Sequence, residues 1–272
     1  MLNLCKEHCI LDVRVVFMGK LFIFNGLLLI VIIFGLYLCK KYVKKDKSQN
    51  IVLLLAALLT IFCHYSSILY HYLKTGSAME FLRNNPNLLF PIYPCNVVMI
   101  GCLIFGLSKN KESKVALFLA DYLFWFGIVS TTVGMFANID FFNNPTLKDY
   151  DVTKGIVAHA TLLFNVLLIF VFGHVKIDLL RNIKHIIVAV IVMFLIGAYC
   201  NLLFEVLVST EKAYDINSMF MIHSPFEAIP FLTYPIISSC AIVIYFGLFA
   251  LLELFKYEKG NRWFNRIKSL KR

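Results

Sequence analysis

The sequence predicts an all-α polytopic membrane protein, a bundle of seven transmembrane helices, and three observations carry that prediction. Hydrophobic residues make up 60% of the 272 positions against 15% charged, and the mean hydropathy is +0.79, far from the balance of an ordinary water-soluble domain. The apolar residues gather in seven separate runs, each near the roughly 20 residues that a helix needs to cross the hydrocarbon. The connectors between these runs are too short to hold a water-soluble domain.

Residues 1–20 place Leu2, Cys5, Cys9, Val13, Val16 and Phe17 at about helical spacing, with Lys6, Glu7, Asp12, Arg14 and Lys20 between them. That pattern predicts an amphipathic lead-in helix at the membrane interface. The first apolar run, residues 21–38, passes directly into the basic stretch Lys40 to Lys45 without a small-residue cleavage motif, so it reads as a retained span. Six more runs cover residues 51–70, 89–107, 115–136, 155–175, 185–207 and about 228–252. Residues 21–252 thus form one transmembrane domain, and 253–272 form a basic tail.

The net charge of +10 sits in short connectors and in the tail, where it signals topology and lipid-headgroup contact and not nucleic-acid binding. With connectors assigned alternately to two sides, residues 39–50, 108–114, 176–184 and 253–272 carry 18 Lys and Arg, and the opposite set carries 8. The positive-inside rule then places the N-terminus outside and the C-terminus in the cytoplasm. The tail, with Trp263 and Phe264, is expected against anionic lipid headgroups of the inner leaflet. Heavy use of Phe, Ile, Lys, Asn and Tyr matches AT-rich coding DNA, so a multi-pass protein in the plasma membrane of a low-GC bacterium is expected.

The eight cysteines lie mostly inside apolar runs and form no disulfide framework. Cys5-Lys-Glu-His8-Cys9 lacks the second ligand pair of a zinc site, so no metal and no cofactor is predicted. His64 and His71, seven residues apart, share a helix face and suit an interfacial aromatic belt with Tyr65, Tyr70 and Tyr72 as well as they suit ligation.

One stretch, Phe90-Pro91-Ile92-Tyr93-Pro94-Cys95-Asn96, breaks the apolar pattern. Proline removes a backbone donor and holds the preceding residue extended. The stretch therefore predicts an extended Tyr93, a helix starting at Pro94 and Cys95 in its first turn, beside unpaired N–H groups and the positive end of the helix dipole. At 1.5 Å per residue Cys95, His159 and His64 fall about 9, 6 and 9 Å from the outer edge of their spans. Asn201 and Glu205 also reach the outer third, whereas the cytoplasmic halves of the spans read as nearly featureless. That asymmetry predicts an outward-facing cavity.

Pro91-x-x-Pro94-Cys95, then Ala158-His159-Ala160, then Asn217-Ser-Met-Phe-Met-Ile-His-Ser-Pro225 resemble, in that order, the bacterial YwaF-like family of integral membrane proteins, itself similar to the TMEM164 acyltransferases. The resemblance runs over most of the chain from about residue 50. It implies that Cys95 is an acyl-accepting nucleophile and His159 its base, with Tyr93, Asn96, His64 and Asn217 lining the site. Asn96 and Asn217 are the polar candidates for an oxyanion donor. The implied partners are membrane phospholipids or lysolipids. Where the family commonly carries His two residues before the cysteine and Gly after the later histidine, this chain has Tyr93 and Ala160, and Ser218 stands where an aromatic follows the family's Asn.

Three functions fit these residues. The leading one is transfer of a lipid acyl chain through a cysteine thioester at the outer-leaflet side. A non-enzymatic carrier or ligand-binding protein could use the same cavity, since broken helices around polar groups are also a transporter feature. A seven-span metal-dependent lipid hydrolase would need several of His64, His71, His159 and His223 to converge on one ion with a carboxylate.

Overall fold

The computed structural model describes residues 2–136, 146–225, 229–258 and 262–270, with side chains from Gly19 to Lys268. The side chains of the lead-in, the Cys5 to Cys9 cluster among them, are not described, and the expected span start at Ala228 lies outside the described residues. Within them all regular structure is helical: α1 (Leu2–Tyr42), α2 (Asp46–Thr75), α3 (Met79–Asn84), α4 (Pro94–Leu107), α5 (Lys114–Phe136), α6 (Tyr150–Val171), α7 (Leu179–Leu207), α8 (Thr210–Ile216), α9 (Tyr234–Lys256) and α10 (Trp263–Leu270). Residues 2–20 and the first span form one unbroken helix, α1.

Local chemistry sets most of the boundaries. α2 ends because Gly76 takes φ 75°, in the left-handed region, and returns its N–H to the Tyr72 carbonyl. α6 starts earlier than the apolar run suggests because the Asp149 carboxylate accepts from the Asp151 and Val152 N–H groups. Asp178 likewise caps α7 through the Arg181 N–H at 3.0 Å, ahead of the expected start at His185. α9 begins at Tyr234 with Pro235 in its first turn, later than the expected 228.

Six helices among the described residues are long and apolar enough to cross a membrane, the first over Gly19–Tyr42 and the others α2, α5, α6, α7 and α9. The chain is a polytopic membrane bundle. The run expected to supply a further crossing, 89–107, is shorter than the sequence suggested, because α4 has only 14 residues. Those rise about 21 Å against a hydrocarbon core of about 30 Å. Pro91 and Pro94 cause the shortening. The chain reaches α4 through a 3-10 turn, Pro86–Leu88, and Tyr93 is extended at φ −112°, ψ 156°.

α6 is the central helix. It packs on α2 and α5 along its length and touches α1 and α4 as well, while α7 joins α5 to α8 and α9. Small residues permit the close approaches: a Cβ at Gly106 of α4 would meet the Leu54 Cα of α2 at 3.1 Å. Lys111, only 9% exposed, folds back over the end of α4. Its ammonium donates to the carbonyls of Phe105 and, at 2.8 Å, Ser108, satisfying groups that the helix end leaves unpaired.

The end of the bundle with the high Lys and Arg count is not featureless, which corrects the sequence expectation. Asp121 of α5 is fully buried and accepts from Arg181 Nε at 2.8 Å, Arg181 Nη2 at 3.1 Å and His185 Nδ1 at 2.7 Å. Glu253 of α9, also fully buried, accepts from the Leu179 N–H, the Trp263 N–H at 3.0 Å and Arg266 at 2.6 Å. Arg266 also reaches Asp178 at 2.7 Å. The tail helix α10 is therefore clamped to α7 and α9 through Arg266.

Burial acts to raise the Asp178 carboxyl, but the Arg181 N–H and the Arg266 guanidinium outweigh it and hold the group below the ordinary carboxylate range. A carboxylate held low in the folded state contributes its full stability above its unfolded value of about 3.9, and loses it as pH falls through the folded value. Asp178→Asn is thus expected to lower the melting temperature at pH 7, with the gap to wild type closing as pH is taken down to about 3. Thermal unfolding in detergent across that range checks it; a gap independent of pH would contradict the assignment.

Candidate functional site

Four chain segments meet at the end of the bundle where α4 and α6 begin. The first is the start of α4. Asn96, 4% exposed, accepts the Tyr93 N–H on Oδ1 at 3.1 Å and donates from Nδ2 to the Asn87 carbonyl at 3.4 Å. Both ends of this side chain are spent on fixing the loop to the helix, so in this conformation it is a structural cap. Cys95 is half-buried against the main core, its sulfur lying over the backbone N–H groups of Cys95 and Asn96. Of these, the Asn96 N–H also donates to the Tyr93 carbonyl at 3.0 Å. The helix start at Pro94, with Tyr93 extended and Cys95 in the first turn, is the one that the proline spacing predicted.

The second segment is the loop that begins at Asn217. Three of its residues take positive φ, Asn217 at 45°, Met219 at 56° and Phe220 at 57°. A non-glycine residue held there costs on the order of 1–3 kcal/mol, which surrounding bonds must offset. They do. The Asn217 carboxamide accepts the Ile222 N–H at 2.9 Å and donates to the His223 carbonyl at 2.8 Å. The loop is also seated on the start of α4, since the Ser218 hydroxyl and the Met219 N–H both donate to the Ile92 carbonyl, at 3.1 and 2.9 Å. Asn201 of α7 holds it from the other side through the Ser218 N–H at 2.8 Å. Asn217, like Asn96, is engaged in building the loop and not in presenting a free donor. Tyr93 stacks on Phe220 with ring centroids 5.9 Å apart, so the tyrosine in place of the family's histidine packs on an aromatic of the strained loop.

α2 and α6 supply the other two segments. His64 lies against the Asn87 backbone and within electrostatic reach of His159 and Lys154, and its Nε2 is buried with no hydrogen-bond partner. His71, one rim further out, pairs with Asp151 at 2.8 Å and stacks on Phe81 at 3.7 Å. His159 Nδ1 is 2.8 Å from the Gly155 carbonyl. A carbonyl only accepts, so Nδ1 carries the proton and Nε2 keeps its lone pair. No hydrogen bond joins His159 to Cys95 among the described residues; the histidine faces Gly134 of α5 and His64 of α2. Ala160, at the place of the family's glycine, is 3% exposed and packs with Ile32, Met135 and Leu163, where a small side chain is needed beside α1.

Space for the imidazole is made by Gly134 of α5. A methyl group there would lie 2.1 Å from His159 Cδ2 and 2.3 Å from Nε2. Gly134→Ala is therefore expected to push the ring off its position at a cost of about 1–3 kcal/mol. Adding His159→Ala should remove most of that cost. Thermal unfolding of the two single variants and the double variant checks it, and strict additivity would contradict the contact.

Beside the start of α4 runs an open apolar cleft of about 320 Å³, lined by Phe90, Pro91, Val192, Leu195, Ile196, Tyr199 and Cys200. It lies between the residues that lead into α4 and an exposed face of α7 and is almost wholly apolar. Among the described residues no three His, Cys, Asp or Glu side chains are arranged to hold a metal ion. Sequence reasoning missed the Asp121 and Glu253 clusters. Asp121 carried a usable signal, as an ionisable residue inside an apolar run.

Residues 16–253 match the model of the TMEM164 family. No curated protein and no solved structure is detectably similar to the chain.

Proposed function

The chain belongs to the TMEM164 family, and from that premise we propose that it moves an acyl chain between membrane lipids through a thioester on Cys95. The observation that carries the reading is the place of Cys95 in the first turn of α4, its sulfur over the backbone N–H groups there, on a helix whose lead-in residues Phe90 and Pro91 line an apolar cleft. The N–H groups and the helix dipole act against a burial that opposes ionisation of the thiol, so a base is needed to take its proton, and the cleft suits the hydrocarbon of an acyl chain.

In this reading the Cys95 thiol gives its proton to His159 Nε2, directly after rotation of the ring or through one water. The thiolate attacks the ester carbonyl carbon of a phospholipid. The carbon–oxygen bond breaks, the thioester remains on Cys95, and the leaving glycerol oxygen takes the proton back from His159. A lysolipid hydroxyl then gives its proton to His159 and attacks the thioester, and Cys95 leaves as thiolate and is reprotonated. The scarcity of water in the bilayer protects the thioester from hydrolysis. Asn96 and Asn217 shape the site, and the Cys95 N–H replaces them as donor to the developing oxyanion.

The carrier reading draws on the proline-broken start of α4 and the strained loop seated on it. One experiment separates the two. The protein in vesicles is given a phospholipid with a labelled acyl chain and assayed for hydroxylamine-sensitive label on the protein and for exchange into lysolipid. Label and exchange that depend on Cys95 support acyl transfer. Saturable solute uptake without either supports the carrier.

A further inference from the structure

We propose that the cleft between the lead-in of α4 and α7 is the acyl-chain subsite: one chain of a bilayer lipid enters it sideways and lies along α7, ester end at the start of α4 and methyl end towards Val192. This deepens the acyl-transfer reading and rests on it for the reaction in which the chain takes part. Phe90 and Pro91 form one wall of the cleft, and Val192, Leu195, Ile196 and Tyr199, on one stripe of α7, form the other. α7 is long and apolar enough to cross the membrane, and Val192, Leu195 and Tyr199 are 41%, 59% and 64% exposed. The cleft is therefore continuous with the lipid-facing surface of α7, and hydrocarbon is the medium at its opening. An almost wholly apolar lining leaves a polar ligand without partners and suits a hydrocarbon chain.

The direction of the chain follows from what the walls touch. Phe90 meets Phe204 edge-on with ring centroids 5.2 Å apart, so the lead-in of α4 is level with the last turns of α7, and Val192 lies nearer the middle of that helix. From Tyr199 to Val192 the helix covers about 10 Å, roughly two-thirds of the hydrocarbon depth of one leaflet. A membrane-length chain therefore fills the cleft and ends beyond Val192. The two walls are also tied to each other. The Ser218 N–H donates to Asn201 Oδ1 at 2.8 Å on the α7 side, and its hydroxyl donates to the Ile92 carbonyl at 3.1 Å on the α4 side. Ile92 stands between Pro91 of the cleft and the helix start that carries Cys95. A fully buried serine thus fixes the width of the cleft and the place of the α4 start together, which gives the chain a groove formed before it arrives.

The test uses the full-length protein in phosphatidylcholine vesicles that contain an ether-linked phosphatidylcholine with a mid-chain diazirine, a probe whose binding does not depend on acyl transfer. After illumination, crosslinks mapped by mass spectrometry are expected to concentrate on residues 192–200 of α7. The control is Val243 and Ile244 of α9, which are 71% and 67% exposed to the same lipid. Leu195→Trp, which fills the cleft from a lipid-facing position, should lower the α7 yield about tenfold, the scale on which a hydrophobic pocket rejects a poor fit, with the melting temperature unchanged. Leu195→Ala, which widens the cleft, should keep the crosslinks. Equal labelling of α7 and α9 in wild type would overturn the proposal, and so would an α7 yield unchanged by Leu195→Trp. Concentrated labelling that Leu195→Trp removes, in a protein that never acquires an acyl label on Cys95, would leave the chain site standing and remove the acyl-transfer reading; an acyl label on Cys95 with no concentration of crosslinks on α7 would do the reverse.

Discussion

Cys95→Ser is expected to abolish the hydroxylamine-sensitive acyl label and to lower phospholipid acyl exchange by at least about a thousandfold, the scale on which removal of a covalent nucleophile is felt. The substitution changes one atom. It keeps the volume at a half-buried position in the first turn of α4, so the fold should be retained and the melting temperature should move little. The difference lies in the nucleophile, since an alcohol is far harder to ionise than a thiol and the N–H groups of the first turn cannot close that gap. His159→Ala should cost less, about 10²–10⁴-fold, because it removes a proton carrier and leaves the sulfur in place. Label and exchange that survive Cys95→Ser at wild-type levels would sink the nucleophile assignment, whatever the histidine variant does. The other cysteines provide the internal control. Cys102 and Cys200 are buried and pack as small hydrophobes, so serine at either position should disturb stability before it disturbs labelling.

The helices and their order were legible because composition and run length report directly on crossing a bilayer. The start of α4 was legible for a different reason: two prolines act locally, and local backbone chemistry does not depend on distant residues. The roles of Asn96 and Asn217 were not. Both look like free amides in the sequence, and each is consumed by partners that a loop brings together, Asn87 in one case and His223 in the other. Helix boundaries drifted where a polar cap outside the apolar run extended the helix, as at Asp149 and Asp178. The largest omission was the buried ionic cluster, since Asp121 meets residues 60 and 64 positions away. No periodicity carries that pairing. Only the cost of a carboxylate inside an apolar run gave notice that a partner existed.

That cluster gives the largest expected change in stability. Asp121→Ala should destabilise the protein by about 3–5 kcal/mol, the usual result of removing one member of a buried ionic group. The carboxylate is fully buried and holds Arg181 in a two-pronged contact, with His185 on the same oxygen that meets Nε. Its loss leaves a guanidinium and an imidazole between α5 and α7 without the carboxylate they donate to. The comparison that isolates this cause is the triple variant Asp121→Leu, Arg181→Met, His185→Leu, in which every polar member is replaced by an apolar one of similar size. If the penalty comes from stranded donors, the triple variant should recover most of the loss, because well-packed hydrophobic replacements of buried ion pairs are often neutral or stabilising. If it comes from lost packing, the triple variant should be no better than Asp121→Ala. Denaturation in detergent decides between them, and an Asp121→Ala change of less than about 1 kcal/mol would mean that water reaches Arg181 and His185 once the carboxylate is gone. The acyl-transfer assay should be unaffected by the triple variant. The cluster stands at the end of the bundle opposite Cys95 and acts on the site only through the alignment of α5 and α7.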